Sequence, residues 1–170
     1  MKTHNNLLIT GGTGFIGRHL SEHLVDQGYL VTILTREATT DRSNSDHISY
    51  VSSLESLPDV NWYGVINLAG EPLDKSRWSE EQKSRIINSR VSMTARLNVW
   101  IRNLPTPPQV YISGSAIGWY GHWAEESLDE DSAFHEGFSH QLCDAWERGA
   151  NKLADLGTRI CTVRIGIVLG

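Results

Sequence analysis

Cysteine is nearly absent from this chain of 170 residues. Cys143 and Cys161 are the only two, and they form no Cys-x-x-Cys pair. That excludes a disulfide framework and points to a reducing cytosol. Long apolar runs are absent too: none approaches the roughly 20 residues of a membrane span. The opening MKTHNNLLITG holds one lysine and enters an apolar run at once, without the apolar core and cleavage site of a secretory leader. Positive charge is not in excess. The formal net charge is -5 and the pI about 5.8, so the total suggests no nucleic-acid face. Seven histidines are present, but without metal-ligand spacing. There is no internal repeat. What remains is a soluble chain long enough for one domain with a real core.

The most informative stretch is Leu7 to Gly17, LLITGGTGFIG. A short apolar run breaks into glycines, and a helical pattern starts at Phe15. Gly11, Gly14 and Gly17 are three apart. Gly11 permits a tight turn out of a strand. Gly14 lets backbone approach a pyrophosphate. Gly17 lets the helix lie close to the sheet. The amides around Thr13, Phe15 and Ile16 then face an anion at a helix N-terminus. The plain alternative is a Gly-rich turn; the strand before and the helix after favour the phosphate loop.

Periodicity predicts the rest. A helix over Phe15–Gln27 has Ile16, Leu20 and Leu24 on one face, and Gly28 stops it. Strands are expected at Tyr29–Thr35, His47–Val51, Tyr63–Leu68, Gln109–Ser113 and Arg159–Ile165. Glu37–Asp46 reads as a loop and Leu54–Asp59 as a helical turn. A long helix from Ser79 to Asn103 opens with a Ser79/Gln82 capping box. Gly118–Gly137 reads as an acidic loop, followed by an amphipathic helix carrying Phe138, Leu142, Trp146 and Leu153. Alternating strands and helices predict an α/β doubly wound parallel sheet, an NAD(P)-binding Rossmann fold over 1–170. The chain stops directly after a strand-like run. We therefore expect a domain truncated at its C-terminal end, its substrate domain missing.

Ligands of such sheets bind at the carboxyl ends of the strands. The second strand ends in Thr35-Arg36, where a carboxylate would favour NAD. A guanidinium there can fork onto a 2′-phosphate, so NADP is the expected cofactor. A merely solvated Arg36, paired with Glu37, is the alternative. Leu68, Ala69 and Gly70 end the fourth strand and let backbone lie along the adenosine. Ser113, Gly114 and Ser115 end the fifth, followed by Trp119-Tyr120-Gly121.

TGGTGFIG, NLAG and SGSAIGWYG, in this order, resemble the extended short-chain dehydrogenase/reductase superfamily. NLAGEP, Arg77-Trp78, Ser89-Arg90, Leu142-Cys143-x-x-Trp146-Glu147 and VRIGIVLG are similar to an epimerase-like family often labelled cell-division-inhibitor-like. The likeness runs along essentially the whole chain. It implies NADP binding, with Thr35 and Arg36 at the 2′-phosphate and Leu68 and Ala69 along the cofactor. It implies further that Arg90 reaches toward the dinucleotide and that Leu169 sits beside the nicotinamide. A homodimer built on the two long helices, with an unknown small-molecule substrate, is also implied.

One departure limits the chemistry. The superfamily's Tyr-x-x-x-Lys pair reads Phe138-Ser139-His140-Gln141-Leu142 here, and no Tyr-x-x-x-Lys occurs elsewhere. Phe has no proton to give, and Leu can tune no phenol. Ser115 stands at the catalytic serine position, and Tyr120 is a substitute hydroxyl. His140 is expected to point elsewhere, and Cys143 to pack in the core. Two readings stay open: an NADP-dependent oxidoreductase or epimerase with an unusual proton donor, and an NADP(H)-binding sensor with little turnover.

Overall fold

The computed structural model describes residues 5–36, 46–73, 79–123 and 125–169. Six strands alternate with helices: β1 (Asn6–Thr10), α1 (Phe15–Asp26), β2 (Leu30–Leu34), β3 (Ile48–Val51), β4 (Trp62–Asn67), α2 (Glu80–Arg102), β5 (Val110–Ala116), α3 (Phe138–Asn151) and β6 (Arg159–Ile165). Short 3-10 turns sit at Leu54–Ser56, Ile117–Tyr120 and Ala154–Leu156. All strand pairs are parallel, in the order β3-β2-β1-β4-β5-β6. This is the doubly wound order, which reverses beside β1. Ligands of such sheets bind at that reversal.

Both faces of the sheet are covered, which explains the continuous apolar runs of β1 and β2. Neighbouring residues of a strand point to opposite faces. Leu8 accordingly joins a core with Val65, Leu97, Ile101 and Tyr111, on the α2 and α3 side. Ile9 joins another with Val31, Ile33 and Ile66, on the α1 side. Leu20 and Leu24 pack on that second core but stay half-buried; Gly17 and Ser21 are the buried residues of α1. The helix lies too close to the loop before it for a larger side chain at Gly17.

Most elements lie where periodicity puts them. Gly28, at φ +87°, closes the first helix. The Ser79 hydroxyl accepts the Gln82 amide at 3.2 Å. β5 runs three residues past the expected end, so Ser115 lies within the strand. Glycine and serine read as a strand end; pairing of Gly114, Ser115 and Ala116 with β6 overrides that signal. Leu153, expected on α3, lies just beyond it and is fully buried. The expected loop at 37–46 lies outside the described residues except for Asp46, as do Arg77-Trp78 and Gly170. Among the described residues no helix is long and apolar enough to cross a membrane.

A polar network fixes the strands at the reversal point. Thr10 Oγ1 donates to Asn67 Oδ1 at 2.6 Å. Asn67 Nδ2 donates to Thr94 Oγ1 at 3.0 Å and to the Tyr111 hydroxyl at 3.2 Å. The side-chain amide thus joins β1, β4, β5 and α2 without leaving a buried polar atom of its own unpaired. Burial pushes the Tyr111 phenol up to about 12. The neutral form is therefore favoured by folding, and stability present below the unfolded value near 10 is lost as pH rises toward 12. We expect about 2–3 kcal/mol of alkaline destabilisation over that window. Tyr111→Phe should flatten it while costing about 1 kcal/mol at neutral pH. Urea unfolding at pH 8 and above 10 checks this; an unchanged alkaline slope in the variant would assign the loss to another group.

Candidate active site

The loop after β1 reverses direction with Gly11 at φ +71°, and the Gly14 amide returns to the Gly11 carbonyl at 3.0 Å. A Cβ on Gly11 would stand 2.5 Å from the Leu68 carbonyl oxygen, so the loop packs directly on the end of β4. A Cβ on Gly17 would stand 2.3 Å from the Gly11 oxygen. Gly14 differs. A Cβ there would meet only that same oxygen within 4 Å, at 3.3 Å, and otherwise project into open space.

α1 begins with no side-chain cap and no acidic residue in its first turn. The first amide to find an acceptor is that of Arg18, bonded to the Gly14 carbonyl at 3.0 Å. The amides of Phe15, Ile16 and Gly17 precede it and bond no protein acceptor among the described residues. Unpaired helix-start donors together with the positive end of the dipole attract an anion.

Above this turn opens a cleft of about 570 Å³, lined by Gly11, Gly14, Phe15, Ile16, Gly17 and Leu68, and across from them by Gly114, Trp146 and residues 165–168. The glycine loop, the end of β4 and the end of β5 therefore converge. A larger groove of about 820 Å³ lies between α2 and α3, with Asp144, Arg148 and Lys152 on its wall. Its lining comes from α2, α3, Glu136 and Lys152 and includes no strand residue, so the smaller cleft, at the strand ends, is the candidate ligand site.

Around the cleft sit two further cations. Arg36 is exposed at the end of β2, and its Nη2 lies 3.9 Å from Glu71 Oε2. Glu37, the other carboxylate considered for it, lies outside the described residues. Arg90 is instead 9% exposed. Its Nη1 donates to the Ile86 carbonyl at 3.2 Å and to Ser89 Oγ at 3.4 Å. Its guanidinium lies against Gly70, where a Cβ would come within 2.7 Å, and 5.2 Å from the Trp146 ring centre. Burial pulls this guanidinium below its ordinary value. A Cβ at position 70 would push the tip of the Arg90 side chain aside.

The hydroxyls expected to handle protons are linked by a network that sequence reasoning missed. Ser115 Oγ donates to Glu147 Oε1 at 2.6 Å. Arg164 grips the same carboxylate twice, Nε to Oε1 at 3.0 Å and Nη2 to Oε2 at 3.1 Å. Arg164 Nη1 continues to the Tyr120 hydroxyl at 3.1 Å. Its guanidinium stacks 3.6 Å from the Trp119 ring centre. The Glu147 hydrogen bonds hold Arg164 above its ordinary value, so the guanidinium stays charged. Ser115 and Tyr120 are thus brought into one chain of contacts, yet both are buried, at 3% and 8% exposure. Glu147 and Arg164 stood inside family-like motifs, but a Glu and an Arg 17 residues apart carry no local signal.

Of the other candidates, Cys143 touches this chain through the Ser115 side chain, whereas His140 turns to a backbone carbonyl. His140 donates to or accepts from no carboxylate: its Nδ1 lies 2.6 Å from the Trp119 carbonyl, and the ring stacks on Phe134. Burial pushes the Cys143 thiol up, which keeps it protonated and a poor nucleophile. Of the expected cofactor residues, Thr13, Thr35, Arg36, Ala69, Gly70, Arg90 and Leu169 are not among those lining the cleft. Ile167 and Val168 line it, two residues and one residue before the expected Leu169. Gly114 and Trp146 do so as well.

A family model described as the NAD dependent epimerase/dehydratase family matches residues 7–164. The chain is similar to the Epimerase family protein YfhF of Bacillus subtilis (strain 168), 34% identical over 171 residues, or 97% of this chain and 55% of that protein. Among solved structures it is similar to human epimerase family protein SDR39U1 (isoform2) with NADPH: TM-score 0.80 and 30% identity over 97% of this chain and 55% of that one. It also resembles UDP-Glucuronic acid 4-epimerase from Bacillus cereus in complex with NAD, with TM-score 0.75 and 17% identity over 97% and 58% of the two chains. At that identity the likeness concerns fold alone. The chain spans about half the length of the curated relatives it matches.

Proposed function

Because the chain belongs to the NAD dependent epimerase/dehydratase family, we propose that its cleft binds NADP(H) and serves hydride transfer on a small carbonyl or sugar-nucleotide substrate. One observation carries the proposal: an uncapped helix start with free amides, behind a glycine whose missing Cβ opens the cleft. The residues present fit a dinucleotide. The amides of Phe15 and Ile16 would take the pyrophosphate. Leu68, Ala69 and Gly70 would lie along the adenosine, and Arg36 would take the 2′-phosphate. Leu169 would stand toward the nicotinamide end, with Arg90 behind the Gly70 loop. NADPH in the solved human relative supports the phosphorylated form. The dinucleotide, when bound, supplies or accepts the hydride.

The protein's own part is to orient and to handle a proton. Ser115 Oγ gives its hydrogen to Glu147, which leaves the serine lone pairs to accept a hydrogen bond from a substrate alcohol. Tyr120 accepts from Arg164 and so keeps its own hydrogen for donation. Free thiols at Cys143 and Cys161 support a reducing, cytosolic setting.

A second reading, an NADP(H)-binding sensor with little turnover, draws on a specific feature. Ser115 is committed to a carboxylate that Arg164 already neutralises, and Phe138 and Leu142 supply no acid. NADPH fluorescence separates the two. Binding followed by oxidation with some carbonyl in a panel supports the enzyme; binding with no oxidation across the panel supports the sensor. Arg36→Ala should weaken NADP⁺ by about 1.5–3 kcal/mol, the worth of a charge-assisted contact, and leave NAD⁺ nearly unchanged. Equal losses for both dinucleotides would show that Arg36 reads no phosphate.

A further inference from the structure

The loop that closes the adenosine side of the cleft carries a carboxylate with no role so far. We propose that Glu71 is a specificity-determining residue, an internal anion that occupies Arg36 until the 2′-phosphate of the cofactor displaces it. The inference rests on the NADP(H) reading above and adds a residue to it.

Three observations place Glu71 there. Its carboxylate is 3.9 Å from the Arg36 guanidinium and joins the ends of β2 and β4 across the sheet's reversal point. Its backbone is anchored: the Glu71 amide donates to Ser89 Oγ at 2.9 Å, and Ser89 in turn donates to the Ile86 carbonyl at 2.8 Å. The residue before it, Gly70, rests on the buried Arg90 side chain. Neighbouring positions on α2 thus hold the loop from beneath. The two partners differ in freedom. The Arg36 side chain is 86% exposed and the Glu71 side chain 30%. The carboxylate is the more buried member, on an anchored backbone, and the exposed guanidinium is the one free to turn away.

The consequence is an exchange of anions. Before the cofactor binds, Glu71 holds Arg36 close to the mouth of the cleft. A 2′-phosphate, with more charge and three acceptor oxygens, competes for the same fork. It must also tolerate Glu71 as a neighbouring like charge. Both effects make Glu71 lower the affinity for NADP⁺ and leave NAD⁺, which has only a ribose hydroxyl there, almost untouched.

Isothermal titration of the chain with NADP⁺ and NAD⁺ tests this on Glu71→Gln, alone and together with Arg36→Ala. Glu71→Gln keeps size and shape, and Glu71→Ala serves as a second variant. We expect NADP⁺ to bind about two- to fivefold tighter in Glu71→Gln, the scale of one exposed charge pair, with NAD⁺ changed less than about 1.5-fold. The gain should shrink as salt rises and should vanish in the Arg36→Ala background. A parallel titration with 2′,5′-ADP should show the same gain without the nicotinamide. Weaker NADP⁺ binding in both Glu71 variants, equal changes for the two dinucleotides, or a gain that persists without Arg36 would overturn the proposal. Wild-type chain that binds neither dinucleotide would instead remove the cofactor reading itself.

Discussion

Glu147→Ala is expected to lower the stability of this chain by about 3 kcal/mol, the scale for removing one partner of a largely buried ion pair. The glutamate side chain is 12% exposed and that of Arg164 19%. The substitution leaves a guanidinium between Trp119, Tyr120 and β6 with no carboxylate, and it strips the Ser115 hydroxyl of its acceptor. The desolvation cost of the arginine then stands without the attraction that offset it. Glu147→Gln keeps the shape and one acceptor oxygen, so about 1–2 kcal/mol is expected. Urea unfolding measures both, with a shifted midpoint and an unchanged slope. A double cycle with Arg164→Ala should return a coupling of at least 1 kcal/mol, roughly the interaction expected for neighbours in one network. A Glu147→Ala midpoint equal to wild type would mean that the network follows the fold and does not support it.

The same contacts bear on chemistry. Glu147 touches Ser115 directly, and Ser115 neighbours Gly114 in the cleft wall. A loss of stability in Glu147→Gln that comes without a change in NADPH binding would separate the two roles. The glycine-loop wall of the cleft is built on β1, β4 and α1, whereas this network links β5, α3 and β6, whose Gly114, Trp146 and Ile165 line the cleft as well.

Gly17→Ala carries the second large effect. Its Cβ would fall 2.3 Å from the Gly11 carbonyl oxygen and 2.6 Å from Gly12 Cα. Both are backbone atoms and cannot rotate aside. The start of α1 must move away from the loop, at about 2–4 kcal/mol, the scale of overpacking against rigid neighbours. The first-turn amides would move with it, so dinucleotide affinity should fall by more than about 100-fold, since orientation carries most of that interaction. Gly14→Ala is the control. Its Cβ would meet only the Gly11 carbonyl oxygen within 4 Å, at 3.3 Å, at a position that lines the cleft. It should cost no more than about 1 kcal/mol, from that one tight contact and a poorer helix cap, while still losing dinucleotide binding. Thermal unfolding and NADPH titration on the pair read the two effects separately. Should Gly14→Ala bind NADPH as wild type does, the phosphate would lie elsewhere and the cradle reading would fail.

How much of this was readable in advance depends on distance along the chain. The strand, the glycine loop and α1 lie within Asn6–Asp26, so their glycine spacing and helical period could be read as one local unit. Apolar runs of β1 and β2 announced a sheet covered on both faces, because each strand buries alternate residues on opposite sides. The Ser79 cap was legible for the same reason: its partner is three residues away. The extent of β5 was not, since its last three residues are strand only because β6 pairs with them.

By itself, then, the amino-acid order determined the fold class, the position of the glycine loop and the absence of a Tyr-x-x-x-Lys pair. All of these are written in residues at most a few turns apart. Tertiary structure alone decided which side chains meet. It put Glu71 opposite Arg36, Asn67 between Thr94 and Tyr111, and Glu147 between Ser115 and Arg164. The reason is physical. Hydrophobic period and backbone freedom act locally, whereas a charge or an amide finds its partner only after the strands have been ordered β3-β2-β1-β4-β5-β6.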